Sequence, residues 1–363
     1  MDTLTVNRTK CVLCHDNSKL IPIETIIEPY HVIKNENEYD VPHGYCEKCY
    51  SIQLMTLLNP DILYDGNYYI VPNTNNYNWS QHNISLIQLI VSSINTNEPL
   101  IEVGSSSFVL GKHLIEYYKD YTVFDISLKS CKKRDDVKYI EGNCENYKFE
   151  KNSNIIMSHV FEHLYEPKKF IENCFKNNVK NIIISIPNMN DNSNFHITQQ
   201  HTFVYNDTDI RHIFELYNYK CLKQTFFTTN DESLPCLFFH FSLNNDNSIL
   251  TPSQRYNDET RHLYTFNLLK NKISVPPNTF ITCASMISIK LFAMIKNKEN
   301  IIGIIDMNSK LHGEIFANTN LKIYPYNHLQ NYDNNESIIV FQKKNDVTNC
   351  IRNFNKKINI IYI

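Results

Sequence analysis

The sequence is poor in glycine and carries almost no excess charge. Only 7 of the 363 residues are glycine, so each one marks a backbone position that deserves inspection. The formal net charge of −3 lacks the strong basic character that nucleic acid and anionic membranes favour in a partner. We therefore expect no nucleic-acid and no membrane partner, and a small substrate fits better.

A secretory signal and a long apolar run are also missing. Residues 1–10 lack an apolar core, and the longest apolar stretch, 280–295, is interrupted by Ser285, Ser288 and Lys290. The 11 cysteines are an odd number scattered along the chain, unlike a secreted disulfide framework. These absences predict a cytoplasmic protein whose thiols are free to bind metal.

The order of the sequence patterns predicts an α/β protein of three domains. Residues 1–72 carry paired cysteines and little helical periodicity, which indicates a small metal-bound module. In residues 73–255, apolar runs alternate with amphipathic segments, which is typical of a parallel sheet flanked by helices. Residues 256–363 repeat this pattern in a smaller unit. Strands are predicted at 100–103, 122–124, 154–157, 181–186, 279–284, 301–306, 337–341 and 358–363.

Two CxxC pairs lie in the first domain. Cys11 and Cys14 form one pair, and Cys46 and Cys49 follow about 30 residues later, a spacing by which two short turns converge on one tetrahedral zinc ion. Four thiolates satisfy the cation and close its shell against water. The pattern therefore predicts a structural zinc site that takes no part in catalysis.

The cysteine pairs allow two other interpretations. A disulfide is disfavoured in the cytosol, and a redox CxxC motif is expected singly, after a strand of a βαβ unit. His15 and His43 lie close enough in sequence to be substitute ligands, although surface positions are the simpler assignment for both. Zinc remains the prediction.

The candidate nucleotide-binding signal is a strand that runs into a turn of small residues. Residues 100–108 read LIEVGSSSF, and a helix is predicted at 109–119. Such a turn brings backbone N–H groups towards a ligand. A carboxylate at the end of the next strand, here Asp125, can accept both ribose hydroxyls. An ordinary βα turn would show the same pattern, so both interpretations stay open at this point.

Several segments follow one another in a characteristic order. They are the paired cysteines, Asp61–Tyr64, Tyr68 with Tyr69, Trp79 with His82, Glu102–Gly104, Ser158–His163, Ile186–Asn188, His201 and Ile305–Gly313. In this order, and over nearly the whole chain, they resemble the sugar C-methyltransferase family. The resemblance implies an N-terminal zinc-binding domain, a Rossmann-like methyltransferase core and a C-terminal Rossmann-like domain.

The resemblance also implies an enzyme that transfers a methyl group from S-adenosylmethionine to a nucleotide-linked deoxy, amino or keto sugar in glycan biosynthesis. It places the catalytic base at His201, beside Gln200, and the acceptor pocket near His163, Tyr68 and Tyr69. A loop or core histidine, and an aromatic pair that packs the zinc module, are the alternatives for these last three. Cofactor contacts are expected from Glu102, Gly104, Ser105, Ser106, Asp125, Asn143 and His159. Monomer and homo-oligomer both remain open.

Several positions depart from the family pattern. Gln200 stands where the family has a Glu, Ser107 where it has an acidic residue, and Phe108 where it has a second glycine; Asn143 replaces a frequent Asp. An O- or N-methyltransferase for a related sugar, and an inactive binding or scaffold copy, are therefore alternatives. Residues 159–163, HVFEH, also spell the HxxEH motif of inverted zinc metallopeptidases, which would be a different chemistry.

Overall fold

The computed structural model describes most of the chain. The described residues are 5–14, 18–29, 38–64, 77–105, 108–129, 131, 133–189, 201–228, 235–244, 250–252, 272–284, 286–317, 319–332, 335–340 and 345–362. They belong to two compact units. The first unit comprises Met1–Lys19, Leu57–Asn190 and Tyr205–Asn257, and the second comprises Leu20–Thr56, Asp191–Val204 and Asp258–Ile363. The predicted boundaries after residues 72 and 255 stay predictions.

Strands and helices alternate along most of the described chain. The strands are β1 (Thr5–Asn7), β2 (Leu20–Pro29), β3 (Glu38–Cys46), β4 (Ile52–Leu54), β5 (Thr56–Leu58), β6 (Leu100–Val103), β7 (Tyr121–Asp125), β8 (Lys138–Glu141), β9 (Asn154–Ser158), β10 (Asn181–Pro187), β11 (Tyr219–Phe227), β12 (Cys236–Leu243), β13 (Thr279–Thr282), β14 (Ile301–Ile305), β15 (Ile323–Tyr324), β16 (Ser337–Val340) and β17 (Asn359–Tyr362).

The helices are mostly short. They are α1 (Pro60–Leu63), α2 (Tyr77–Ser93), α3 (Gly111–Leu114), α4 (Pro167–Lys176), α5 (Asp207–Glu215), α6 (Met286–Met294) and α7 (Asn345–Phe354), with 3-10 turns at Phe161–His163, Lys298–Asn300, Ser309–Leu311 and Tyr326–Asn331. Within the described part of the chain, none of the helices combines the length and the apolar character that a membrane crossing requires.

The first unit is built on a seven-stranded sheet in the order β11-β12-β10-β9-β6-β7-β8. Strands β6 to β10 are mutually parallel, while β12 runs antiparallel to both β10 and β11. Numbered from β6, the five parallel strands lie in the order 3-2-1-4-5, which is that of a doubly wound Rossmann-like sheet. In such a sheet, ligands bind outside the carboxyl ends of the strands where the order reverses, here between β6 and β9.

Burial explains why the central strands were predictable from sequence. All four residues of β6 and all five of β7 are buried, and strands covered on both faces are nearly continuous apolar runs. The predicted strands at 122–124, 154–157 and 181–186 are confirmed, each extended by one or two residues. The predicted helix at 109–119 is largely wrong. Only Gly111–Leu114 is α-helical, because four-residue and three-residue hydrogen bonds are mixed around it, as from Leu114 N and from His113 N to Leu110 O.

The second unit contains a five-stranded parallel sheet and a three-stranded antiparallel sheet. The parallel sheet has the order β15-β14-β13-β16-β17, which is again 3-2-1-4-5 when numbered from β13. This parallel sheet therefore has a Rossmann-like strand order. Asp306, after the second strand of this sheet, accepts hydrogen bonds from the backbone N–H groups of Ala284 (2.7 Å) and Asn308 (2.6 Å). Its carboxylate thus holds the loops at this edge.

Candidate active site

The turn after β6 requires glycine at its first position. Gly104 has φ +74°, in the left-handed region that favours glycine, and its N–H donates to the carbonyl of Phe124 at 2.8 Å. A Cβ atom at this position would overlap the side chain of Val160. Two constraints, backbone conformation and close packing, therefore act on the same residue.

A buried carboxyl group forms a hydrogen bond with a residue of this turn. Glu102 is 4% exposed and accepts hydrogen bonds from the hydroxyls of Ser105 (2.8 Å) and Tyr121 (2.5 Å). Burial raises the pKa of Glu102 from 4.5 to about 7, although both hydrogen bonds act in the opposite direction. The Glu102 and Ser105 side chains, predicted to contact cofactor, thus bond to each other and connect the turn to β7.

Phe108 lies in the left-handed region that favours glycine. Its φ is +59°, and its N–H donates to the carbonyl of Ser105 at 2.9 Å. The ring lies edge-on to Tyr121, with centroids 6.1 Å apart, and fills the space in which Gly111 would carry a Cβ. A bulky residue in this region is strained by roughly 1–2 kcal/mol, and the packing of the ring offsets that strain.

Two more predicted cofactor residues lie at the same edge of the sheet. In the parallel register, Val103 lies beside Phe124. Gly104 and Asp125, the next residue of each chain segment, are therefore neighbours at the carboxyl ends of β6 and β7. Asp125 is 5% exposed, and its Oδ1 accepts from the Ser127 N–H at 3.1 Å. In the loop after β8, the Asn143 side-chain oxygen accepts from the N–H of Glu145 at 2.8 Å.

The segment after β9 places a buried carboxylate between two histidines. His159 has φ +53° and donates its N–H to the Ser185 carbonyl at 2.8 Å. Glu162 is fully buried; its Oε1 lies 3.3 Å from His159 Nδ1 and 4.0 Å from His163 Nε2. The other ring nitrogen of His163 lies 3.4 Å from the Tyr64 hydroxyl. Glu162 therefore orients two imidazoles at the carboxyl end of β9.

The metallopeptidase interpretation of HVFEH is wrong. It requires both histidines on one face of an α-helix, with the glutamate one turn away. Only Phe161–His163 is helical, as a single 3-10 turn, and His159 precedes it in a left-handed conformation. The two histidines consequently approach the carboxylate of Glu162 from different directions.

The two cysteine pairs are buried in tight turns. Cys11 donates its N–H to the Ser18 carbonyl at 2.7 Å, and its sulfur accepts from the Leu13 N–H at 3.4 Å. In the second pair, the Cys46 carbonyl accepts from the N–H of Tyr50 at 2.8 Å. The four thiols are at most 6% exposed, and all eleven cysteines, each within the described residues, are free of disulfides.

Lys168, on α4, contacts the first cysteine pair. Its ammonium group donates to the backbone carbonyls of Cys14 (2.5 Å) and Cys11 (3.4 Å). The guanidinium of Arg8, nearby in sequence, donates to the Tyr165 carbonyl at 2.8 Å, and burial lowers its pKa to about 10. Two cations thus hold the first CxxC turn against the segment that follows His163.

A group of potential metal ligands occurs among the described residues of the first unit. The ligand atoms of His82, His159 and Cys236 lie within 4.8 Å of one another. His201 is partly exposed, and the carbonyl of the next residue, Thr202, accepts from the Leu54 N–H at 3.0 Å. Tyr68, Tyr69, Ser106 and Gln200 lie outside the described residues.

Some residues of this region were not predicted from sequence. The sequence does mark Glu162, because it is a carboxylate that lies between His159 and His163 in the segment directly after an apolar strand. Cys236 and Lys168 are not marked in this way, because their neighbours in space are distant in sequence. For His82, the sequence indicates only that it belongs to the ordered segments of the family resemblance.

Comparisons with known proteins give structural likeness only. No family model and no curated protein matches the sequence. Magnesium protoporphyrin IX methyltransferase of Synechocystis PCC 6803, solved with bound SAH, is 14% identical with a TM-score of 0.39, over 46% of this chain and 84% of that chain. N-methyltransferase NodS of Bradyrhizobium japonicum WM9 is 14% identical with a TM-score of 0.39, over 47% and 99%.

A third solved structure is 1,6-didemethyltoxoflavin-N1-methyltransferase of Burkholderia thailandensis. It is 7% identical with a TM-score of 0.38, and the match covers 46% of this chain and 81% of that chain. The Rossmann-like fold of the present chain is defined by the strand order of its two parallel sheets.

Gly104→Ala should destabilise the protein more than Gly313→Ala. Both substitutions force a left-handed alanine, which costs roughly 1–2 kcal/mol, but nothing lies within 4 Å of a Cβ at Gly313. At Gly104 the overlap with Val160 adds to that cost, and Val160→Ala should recover part of it. A double-mutant cycle measured by urea unfolding tests this coupling. Equal losses for the two glycines, or no coupling to Val160, would contradict it.

Glu102→Gln should change how stability depends on pH. Because the folded-state pKa of Glu102 is raised to about 7, the folded protein binds its proton more tightly than the unfolded chain between pH 4.5 and 7. This carboxyl's contribution is therefore complete below pH 4.5 and lost as pH rises through 7, in total roughly 3 kcal/mol. Unfolding at a series of pH values should show that loss in wild type and in the exposed control Glu116→Gln. It should be absent in Glu102→Gln.

Proposed function

We propose that this protein is an S-adenosylmethionine-dependent methyltransferase. The observation that carries the proposal is the pairing of the Gly104 turn with Asp125 where adjacent parallel strands end. We expect the cofactor to lie against this turn, where the carboxylate can accept the two ribose hydroxyls. Asn143, in the next loop of the same edge, is proposed to contact the adenine edge. These groups fit a nucleoside with a charged amino-acid tail.

The proposed acceptor is a nucleotide-linked deoxy, amino or keto sugar. Its support is the ordered resemblance of the sequence segments, together with the histidines that Glu162 orients beside the cofactor edge. A sugar offers hydroxyl, amine or activated carbon positions, and each has a proton to lose on methylation. Imidazoles that accept and donate hydrogen bonds suit such a ligand.

His201 is proposed to accept the proton of the acceptor atom. Bound S-adenosylmethionine supplies an electrophilic methyl group on a sulfonium. His201 would accept the proton that the acceptor atom loses when the bond from the methyl group to sulfur breaks and S-adenosylhomocysteine leaves. Gln200 lacks the carboxylate that would strengthen this base, so oxygen or nitrogen acceptors are favoured over carbon. His163, held by Glu162, is proposed to orient the sugar.

The four cysteines are proposed to bind one structural zinc ion. The spacing of the two CxxC pairs supports this, as does the N–H donated to Cys11 Sγ, a hydrogen bond that stabilises a thiolate. Lys168 brings a positive charge close to a site whose net charge with zinc would be −2. A closed four-thiolate shell leaves no position for substrate, so its contribution is to folding.

An inactive binding or scaffold copy is the competing function. It is favoured by the turn from Ser105 to Phe108, where side chains occupy positions that are glycine or acidic in the family. The compensating contacts of Phe108 keep this turn closely packed, which supports a retained cofactor site instead. Calorimetric titration with S-adenosylmethionine separates the two, since a scaffold copy would show no binding.

Asp125→Ala should weaken S-adenosylmethionine binding by more than tenfold. The substitution removes charge-assisted hydrogen bonds to the ribose that are worth roughly 1.5–3 kcal/mol. Isothermal titration measures the change, with Asp135→Ala, an exposed aspartate outside the strands, as the matched control. Wild-type affinity in the Asp125 variant would mean that the cofactor does not lie at this edge.

His201→Asn should lower turnover by about a hundredfold or more without changing cofactor affinity, because general-base catalysis contributes on that scale. The substrate is first found by incubating wild type with S-adenosylmethionine and a panel of nucleotide-linked sugars, and detecting the gain of one methylene by mass spectrometry. His113→Asn, an exposed histidine, is the control. If His201→Asn turns over like wild type, the base lies elsewhere, and His163→Asn is the next variant to test.

A further inference from the structure

A second group of metal-ligand side chains lies within the first unit. His82 belongs to α2, His159 follows β9, and Cys236 begins β12, and a ligand atom of each lies within 4.8 Å of the others. Two of the three are buried, whereas the His159 side chain is 19% exposed and gives access to the group. Neither composition nor sequence spacing brings these residues together.

The hydrogen bonds of His82 fix its tautomer. Its Nδ1 lies 3.1 Å from Asn83 Oδ1, an oxygen that can only accept, so Nδ1 carries the proton. The lone pair on Nε2 then points to the other side of the ring, where the Ser185 hydroxyl lies at 2.7 Å.

His159 is oriented in the same way by a carboxylate. Its Nδ1 lies 3.3 Å from Glu162 Oε1, and its Nε2 lies 3.7 Å from Cys236 Sγ. Histidine ligands of metals commonly donate their second N–H to such an oxygen. The 3.7 Å separation is close to the roughly 3.6 Å between nitrogen and sulfur ligands at a tetrahedral zinc ion.

We propose that His82 Nε2, His159 Nε2 and Cys236 Sγ bind a second zinc ion, distinct from the four-cysteine site. Asn83 and Glu162 orient the two imidazoles, and the Ser185 hydroxyl is placed to complete a four-coordinate shell. Binding releases the thiol proton of Cys236 to solvent. The charges of the dication, the thiolate and the Glu162 carboxylate then sum to zero, as burial requires.

The proposed ion lies beside the acceptor segment without forming part of the cofactor edge. Glu162 contacts His159 on one side and His163 on the other, so the metal is connected to the proposed sugar-binding histidine through one carboxylate. His159 is then a metal ligand, and a direct contact to cofactor falls to other residues. The inference does not depend on methyl transfer.

Metal content per chain tests the proposal. The full-length protein is stripped of metal, saturated with Zn²⁺ or Co²⁺, desalted and analysed by mass spectrometry for metal. We expect Cys236→Ala and His159→Gln each to lose one ion relative to wild type. Cys174→Ala, which removes a fully buried thiol elsewhere, should lose none. Cys46→Ser/Cys49→Ser should lose a different ion and keep the cobalt-to-thiolate absorption of the second site.

Wild-type metal content in Cys236→Ala would overturn the proposal. So would the absence of cobalt-to-thiolate absorption in a folded Cys46→Ser/Cys49→Ser protein. Thermal unfolding shows whether each variant is folded. If Cys236→Ala does not fold, the wild-type count decides, because more than one ion per chain supports the second site and one or none contradicts it. No S-adenosylmethionine or sugar enters these measurements, so failure of the proposed methyl transfer would be seen separately.

Discussion

The buried carboxyl of Glu102 is the group on which the geometry of the cofactor edge depends. Burial of a carboxyl is unfavourable by several kcal/mol unless its oxygens accept hydrogen bonds, and Ser105 and Tyr121 supply them. Because Ser105 belongs to the turn and Tyr121 to β7, satisfying one carboxyl fixes the turn relative to the next strand. The strained conformations of Gly104 and Phe108 persist because the surrounding contacts leave the backbone no alternative.

Much of the fold was predictable because its central strands are buried on both faces. Apolar runs such as 100–103 and 181–186 identify parallel strands directly, and in the second unit the predicted 301–306 and 337–341 agree with the observed strands to one residue. The segment 109–119 misled because its amphipathic pattern fits a helix, whereas the observed hydrogen bonds mix four-residue and three-residue spans and leave one regular turn. Periodicity reports the buried face and not the hydrogen-bond spacing.

The candidate site was only partly predictable. Asp125 and Gly104 follow from a rule on strand ends, and the strand order supports that rule. The side chains around Glu162 did not follow, because His82, Ser185 and Cys236 come from a helix and two strands that are far apart in sequence. The same holds for Lys168 and the first cysteine pair, since no local pattern marks a lysine whose partners are backbone carbonyls.

The contact between Gly104 and the side chain of Val160 has a consequence for how sequences of this fold can diverge. A residue larger than glycine at position 104 is accommodated only after position 160 has become smaller, whereas the reverse order of changes passes through an overpacked intermediate. The order of substitutions is therefore restricted even where the final pair would be acceptable. In a set of relatives, the side-chain sizes at these two positions should covary. Any replacement of the glycine should follow a replacement of the valine by a smaller residue.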